Sequence, residues 1–233
     1  MTLEEVLKKH KDSFHPVVPM DVRRDKILWL DLTAANKALT PALLADTTAF
    51  SYYVQQEMQT AGATLATGGY NELRVIYDYS DVFAPVPPQT ERRRLHLGVD
   101  IWCRPYLPVY APCDGIVHSF AFNNRKGDYG STILLTHLLD GISFYTLYGH
   151  LSLNSIKDLQ EGQRITKGEV IGEAGIPSEN GGWPPHLHFQ LIREIGNYNG
   201  DYPGVCAPGE KDKWLFNSPD PEWMLQLHEY QKA

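Results

Sequence analysis

The chain has 233 residues, 42% of them hydrophobic, and 21 Lys and Arg against 28 Asp and Glu give a formal net charge of −7. That length suffices for one large domain or two small ones with a real core. The acidic balance argues against generic nucleic-acid binding, and no apolar run is long enough to span a membrane.

In chain order, the N-terminal stretch "MTLEEVLKKHKD" is charged and has no hydrophobic h-region, so no signal peptide is read. Cys103, Cys113 and Cys206 are few, odd in number and without a CxxC, so they form no disulfide framework. A cytoplasmic, reducing compartment is the expectation, with export or a periplasmic location if the start is truncated. "TLEEVLKKH" predicts a short amphipathic helix with Thr2 and Glu5 as a capping box. Residues 39–62 carry a second helical pattern. Thr40 and Pro41 start it, Asp46 caps a following helix, Phe50, Tyr53, Val54 and Met58 give the period, and Gly62 closes it. "LRVIYDYSDVF" (73–83) reads as a strand, and Arg92, Arg93 and Arg94 as a solvated strand end.

From about residue 95 the texture changes. Short apolar runs ("LPVYAP", "GIVHSF", "STILLTH", "SFYTLYGH", "EVIGEAG") alternate with Gly, Pro, Asn and Asp at intervals of about eight to twelve residues, the pattern of an all-β sandwich or barrel. The expected class is mainly β: an antiparallel β-sandwich or barrel-sandwich core over 91–200, a smaller mixed α/β extension over 1–90, and a tail over 201–233 packing on the core. "PDPEWMLQLHEYQ" in that tail predicts a last short helix.

The chemistry concentrates in "PPHLHFQLI" (184–192). On a strand, His186 and His188 point to one face about 6.6–6.8 Å apart. Alone, they read as two half-buried histidines with separate hydrogen-bond partners. "HLGVD" (96–100) adds His96 and Asp100, and "LYGHLS" adds His150 at the end of another strand. Two histidines with a carboxylate match the ligand sets of catalytic zinc sites, which leave a fourth position for water. Fully extended, His96 and Asp100 would lie roughly 13 Å apart, so the chain must curl between them, and Gly98 permits that.

These motifs resemble the lysostaphin-like and LytM-like zinc metallopeptidases that cut peptidoglycan peptides. The marks are H-x-x-x-D (His96–Asp100), Y-x-H (ending at His150) and H-x-H (His186–His188). "VDI…PVYAPCDGIV" resembles the family's first hairpin and "EGQRITKGEVIGEAG" its glycine-rich turn, so the resemblance covers roughly 92–195. It implies a peptidase β core in which His96, Asp100 and His188 bind Zn2+ and His150 and His186 are catalytic. A peptide or peptidoglycan substrate is the implied partner, with no nucleic acid and no membrane span. Two features depart from the family pattern. Tyr106 stands where glycine is usual, and "GIPSENGGWPP" replaces a short glycine-serine loop. The tail "YPGVCAPGEKDKWLFNSPDP" lies outside the common core and resembles peptidase-like modules fused to class III aminotransferases.

Elsewhere the blander readings hold. His137 near the groove is at least as much a structural histidine, His118 a strand residue with a local partner, and Cys103 and Cys113 small buried hydrophobes rather than ligands. Trp183 is balanced between lining a substrate wall and packing its loop. Two alternatives to a zinc endopeptidase stay open. One is a catalytically silent binding or regulatory module of the same fold. The other is a histidine phosphocarrier like the glucose-permease IIA domain, which needs neither Asp100 nor the H-x-H.

Overall fold

In the computed structural model, which describes residues 1–21, 24–85 and 90–228, helix α1 (Leu3–His10) starts at the expected capping box. The Thr2 hydroxyl accepts from the Glu5 N–H and the Glu5 carboxylate accepts from the Thr2 N–H. Strand β1 (Ile27–Trp29) precedes two helices, α2 (Pro41–Ala45) and α3 (Thr47–Ala61). Thr40 and Asp46 cap them, and Gly62 ends α3 in the left-handed region at φ 63°. Strand β2 (Leu65–Gly68) follows, buried throughout.

The strand expected over 73–83 does not form. Leu73 makes one bridge, to Leu95, and two 3-10 turns follow at Ile76–Tyr79 and Asp81–Phe83. Side chains take over the backbone groups that a ladder would use. The Ser80 hydroxyl accepts from the Val82 N–H, and Arg92 donates to the carbonyls of Asp78 and Ser80. Arg93 donates to the Val82 carbonyl, and Arg94 pairs with Asp78 at 2.6 Å. The arginine run is therefore a set of ties onto this segment rather than a solvated strand end.

The remaining strands are β3 (Leu95–His96), β4 (Val99–Trp102), β5 (Pro108–Tyr110), β6 (Gly115–Asn123), β7 (Gly130–Leu139) and β8 (Ile142–Leu151). Then come β9 (Arg164–Ile165), β10 (Val170–Glu173), β11 (His186–Ile192) and β12 (Val205–Cys206), with α4 (Lys211–Asn217) and α5 (Glu222–Leu225) last. The fold is mainly β, as expected. One eight-stranded sheet runs in the order β1-β2-β4-β11-β8-β7-β6-β9, and β10·β5 and β12·β3 form two smaller ladders. Pairing is antiparallel except between β1 and β2, which makes the large sheet mixed. Those two strands come from the first 70 residues and belong to the same sheet, with Gly68 of β2 opposite Asp100 of β4. Val109, Ile133, Tyr148, Phe189 and Leu191 form the main core, and Leu3 and Leu7 of α1 with Met224 and Leu225 of α5 belong to the same cluster. The expected last helix is thus four residues long, and residues 229–231 of that expectation lie outside the described part.

Tyr106 adopts φ 56°, in the left-handed region that favours glycine. Its N–H donates to the Ala174 carbonyl at 2.8 Å, so the bend is kept although the glycine is absent.

Candidate active site

Strand register sets the site. Antiparallel pairing of β11 with β4 places His188 opposite Asp100 and His186 opposite Trp102. His96 arrives from the adjoining short ladder, with Gly98 in the bend between. The three side chains expected to share an ion come together: His96, Asp100 and His188 each offer a ligand atom, and these atoms lie within 4.8 Å of one another. All three residues are at most 3% exposed.

Hydrogen bonds around the triad decide where its protons are. His96 Nδ1 lies 3.0 Å from the Gly69 carbonyl, which only accepts, so Nδ1 carries the proton and Nε2 presents a lone pair. Gln190 donates its amide to the Pro203 carbonyl at 3.1 Å and to Ser218 at 3.0 Å, which leaves Oε1 facing His188 Nε2 at 2.9 Å. His188 therefore donates from Nε2 and presents its lone pair at Nδ1. The free oxygen of Asp100 is Oδ1, because Arg74 holds Oδ2. Three acceptor atoms consequently face one another: His96 Nε2 to His188 Nδ1 at 3.0 Å, His188 Nδ1 to Asp100 Oδ1 at 3.0 Å, and His96 Nε2 to Asp100 Oδ1 at 3.3 Å. Such an arrangement is repulsive unless a cation lies between them. Burial, with Arg74 nearby, pushes His96 down to about 4. Burial alone would raise Asp100, but the Arg74 guanidinium on Oδ2 holds it well below the usual carboxylate range.

His150 and His186 form a second pair, with ring centroids 4.1 Å apart. His186 Nδ1 donates to the Pro184 carbonyl at 2.7 Å and His150 Nδ1 to the Asn180 carbonyl at 2.8 Å, so each ring keeps Nε2 open. Trp102 stacks on His186 at 4.1 Å. Burial pushes His186 down to about 4, and burial with His186 beside it pushes His150 well below its ordinary range. Both rings are neutral at pH 7. His150 sits at φ 62°, uncommon for a residue with a side chain, and is fixed by backbone bonds from its N–H to Tyr129 and from Gly175 to its carbonyl, each 2.8 Å.

Asp100, His150, His186 and His188 line a cleft of about 190 Å³ whose other walls include Tyr77, Phe83, Tyr129 and Trp183. Trp183 both lines the cleft and ties its loop, donating Nε1 to the Asp128 carbonyl. The long "GIPSENGGWPP" loop is organised by buried Asn180, whose amide donates to the carbonyls of Gly175 and Trp183. His137 stands apart, 1% exposed, with Nδ1 on the Asp114 carbonyl and 3.3 Å from Cys113 Sγ. His118 has its local partner in Ser119 at 2.8 Å. Burial pushes Cys103 and Cys113 up to about 12, which makes them inert at neutral pH.

Sequence reasoning missed the residues behind the triad. Gln190 had a signal, since it follows His188 by two on the same strand face. Arg74, Glu72 and Tyr77 had a weaker one, a lone arginine inside an apolar run.

Residues 94–200, which hold all five of these positions, match peptidase family M23. Over that segment the chain is an M23 peptidase domain, homologous to DD-endopeptidases. It is 34% identical over 127 residues to the DD-carboxypeptidase/endopeptidase Mpg of Neisseria meningitidis serogroup B, covering 53% of this chain and 26% of that protein. It is 38% identical over 145 residues to an uncharacterized metalloprotease of Haemophilus influenzae, covering 60% and 28%. The chain therefore spans little more than a quarter of the length of these relatives. Among solved structures, the antimicrobial peptidase lysostaphin of Staphylococcus simulans is 27% identical over 60% of this chain and 46% of that one, with a TM-score of 0.40.

Proposed function

We propose that this chain is a zinc-dependent metalloendopeptidase that hydrolyses peptide bonds in peptidoglycan cross-links or muropeptides. The observation that carries this reading is the set of three acceptor atoms with every proton committed outward. Ligands about 2.0–2.1 Å from a tetrahedral centre lie roughly 3.3 Å from one another, and the three atoms stand 3.0, 3.0 and 3.3 Å apart. Two imidazoles and one carboxylate are a donor set suited to zinc with an open fourth position. The name of a further relative, the peptidoglycan DD-endopeptidase ShyC of Vibrio cholerae, 28% identical over 105 residues, supplies the substrate class.

A bound zinc ion would lower the pKa of its water to about 7 and polarise the scissile carbonyl. The chain's own residues do the rest. His96 and His188 hold their lone pairs inward through Gly69 and Gln190. A neutral ring of the His150–His186 pair takes a proton at Nε2, the nitrogen with no commitment to the backbone. The partner ring, 4.1 Å away, stays neutral because two imidazolium charges at that distance repel. As an N–H donor at Nε2, the protonated ring then stabilises the oxyanion or hands its proton to the leaving amine.

The test measures bound metal and cleavage of a cross-linked muropeptide on the same preparation. Close to one zinc per chain is expected, with activity lost on chelation and restored by zinc. Zinc binding without cleavage of muropeptides or glycine-rich peptides would favour the silent binding module. Absence of metal uptake would overturn the reading altogether.

A further inference from the structure

The metal-centre reading uses one oxygen of Asp100. The other is held from outside the segment that matches the peptidase family. Arg74 belongs to the N-terminal extension, and none of its side chain is exposed. Its Nη1 donates to Asp100 Oδ2 and to the Tyr77 hydroxyl at 3.0 Å, and its Nε donates to Glu72 Oε2 at 2.7 Å. Gly68 makes the room: a Cβ there would stand 2.5 Å from Arg74 Nη2. Nη2 itself is buried and has no hydrogen-bond partner among the described residues.

This is a costly way to cover the back of a carboxylate. A buried ion pair gains little over apolar residues of similar volume, and an unsatisfied buried donor adds to the cost. The arginine therefore calls for an explanation other than stability. The terminal torsion of an aspartate is broad and nearly two-fold, so a carboxylate without restraint can present either oxygen or both. With both oxygens presented to an ion, the carboxylate takes the position that a catalytic site keeps open for water.

We propose that Arg74 is a positioning residue of the metal centre, holding Oδ2 of Asp100 so that Oδ1 alone faces the ion and one position stays open. This rests on the reading of His96, Asp100 and His188 as ligands. Glu72 in turn anchors Arg74 from behind, and the fork geometry of guanidinium is what lets one side chain bridge both carboxylates. A lysine, a point charge, cannot span them.

The experiment loads the full chain with Co2+, whose visible bands weaken when a four-coordinate centre gains ligands. Wild type, Arg74→Lys and Glu72→Gln are compared by spectrum and by cobalt affinity in competition with a chelator. The melting of each metal-free protein separates lost folding from lost positioning. Both variants should show weaker bands, with affinity reduced by about 10- to 100-fold, the scale for partners that orient ligands. Glu72→Gln keeps size and removes the charge that anchors Arg74 from behind, so it decides the matter if Arg74→Lys does not fold. A lower melting temperature with the wild-type spectrum retained means a structural role only and overturns the proposal, whatever the affinity. Failure of the wild type to take up cobalt would instead remove the metal-centre reading on which the proposal stands.

Discussion

Gly98 and His188 approach so closely that no side chain fits between them. A Cβ on Gly98 would stand 2.6 Å from His188 Cε1, 2.7 Å from Nε2 and 2.7 Å from the Phe189 carbonyl oxygen. The ring is held by Gln190 and the carbonyl by the sheet, so neither can yield cheaply. Gly98→Ala should cost about 1–3 kcal/mol, the range for overpacking, and push His188 out of the triad. Denaturant unfolding and metal content of the variant check both effects. Wild-type metal binding in Gly98→Ala would show that the contact is soft.

The two pairs of histidines should separate by phenotype. His188→Ala removes a lone pair from the triad, so both zinc content and cleavage should fall. His186→Ala and His150→Ala should keep zinc, yet lose about 10²-fold or more in cleavage, the scale for a proton-transfer group or oxyanion donor. Loss of zinc from His186→Ala as complete as from His188→Ala would reverse the assignment.

His150 also stores strain. Its φ of 62° suits glycine better than any residue with a Cβ. His150→Gly should therefore be more stable than His150→Ala by about 1 kcal/mol while being equally inactive. Paired urea titrations measure the difference, and equal stabilities would argue that the backbone relaxes in both.

Gln190 fixes the tautomer of His188 through a chain that starts at the Pro203 carbonyl. Gln190→Leu leaves the His188 proton free to move to Nδ1, the nitrogen facing the triad. Zinc affinity should fall by about 10- to 100-fold, read by competition with a chelator. Unchanged affinity would mean that the ion alone sets the tautomer.

His137 predicts a pH dependence outside the site. Burial pushes it down to about 4 from 6.5. Between those values the unfolded chain binds a proton that the folded chain refuses, so stability rises with pH there and is lost as pH falls. The slope is at most about 1.4 kcal/mol per pH unit from this group. Urea unfolding of metal-free protein between pH 7.5 and 4.5 should show His137→Gln losing less stability than wild type. Parallel curves would contradict the burial argument.

The amino-acid sequence by itself determined what depends on neighbours in the chain. Thr2 with Glu5, Thr40, Asp46 and Gly62 each act on groups within a few residues, so the caps were legible, and short apolar runs set between turn residues marked β5, β6, β7, β8, β10 and β11. The two-residue strand period put His186 and His188 on one face, and the resemblance of the motifs to a known family pointed to all five candidate residues. Tertiary structure decided the rest, because the energies involved act across long loops. Strands β1 and β2 carried no alternation to announce them, and they form because β4 offers an edge for β2 to pair with. Segment 73–83 has strand-like composition, yet arginine side chains bond its carbonyls and turn it into 3-10 helix. Gly98 is needed for a close approach to a residue on another strand, not only for the local curl that its position suggested. The direction of each imidazole lone pair depends on Gly69, Gln190, Asn180 and Pro184, and the neutrality of His150 and His186 on burial. Spacing can bring such groups to one place, but only the folded surroundings fix their protons and their charge.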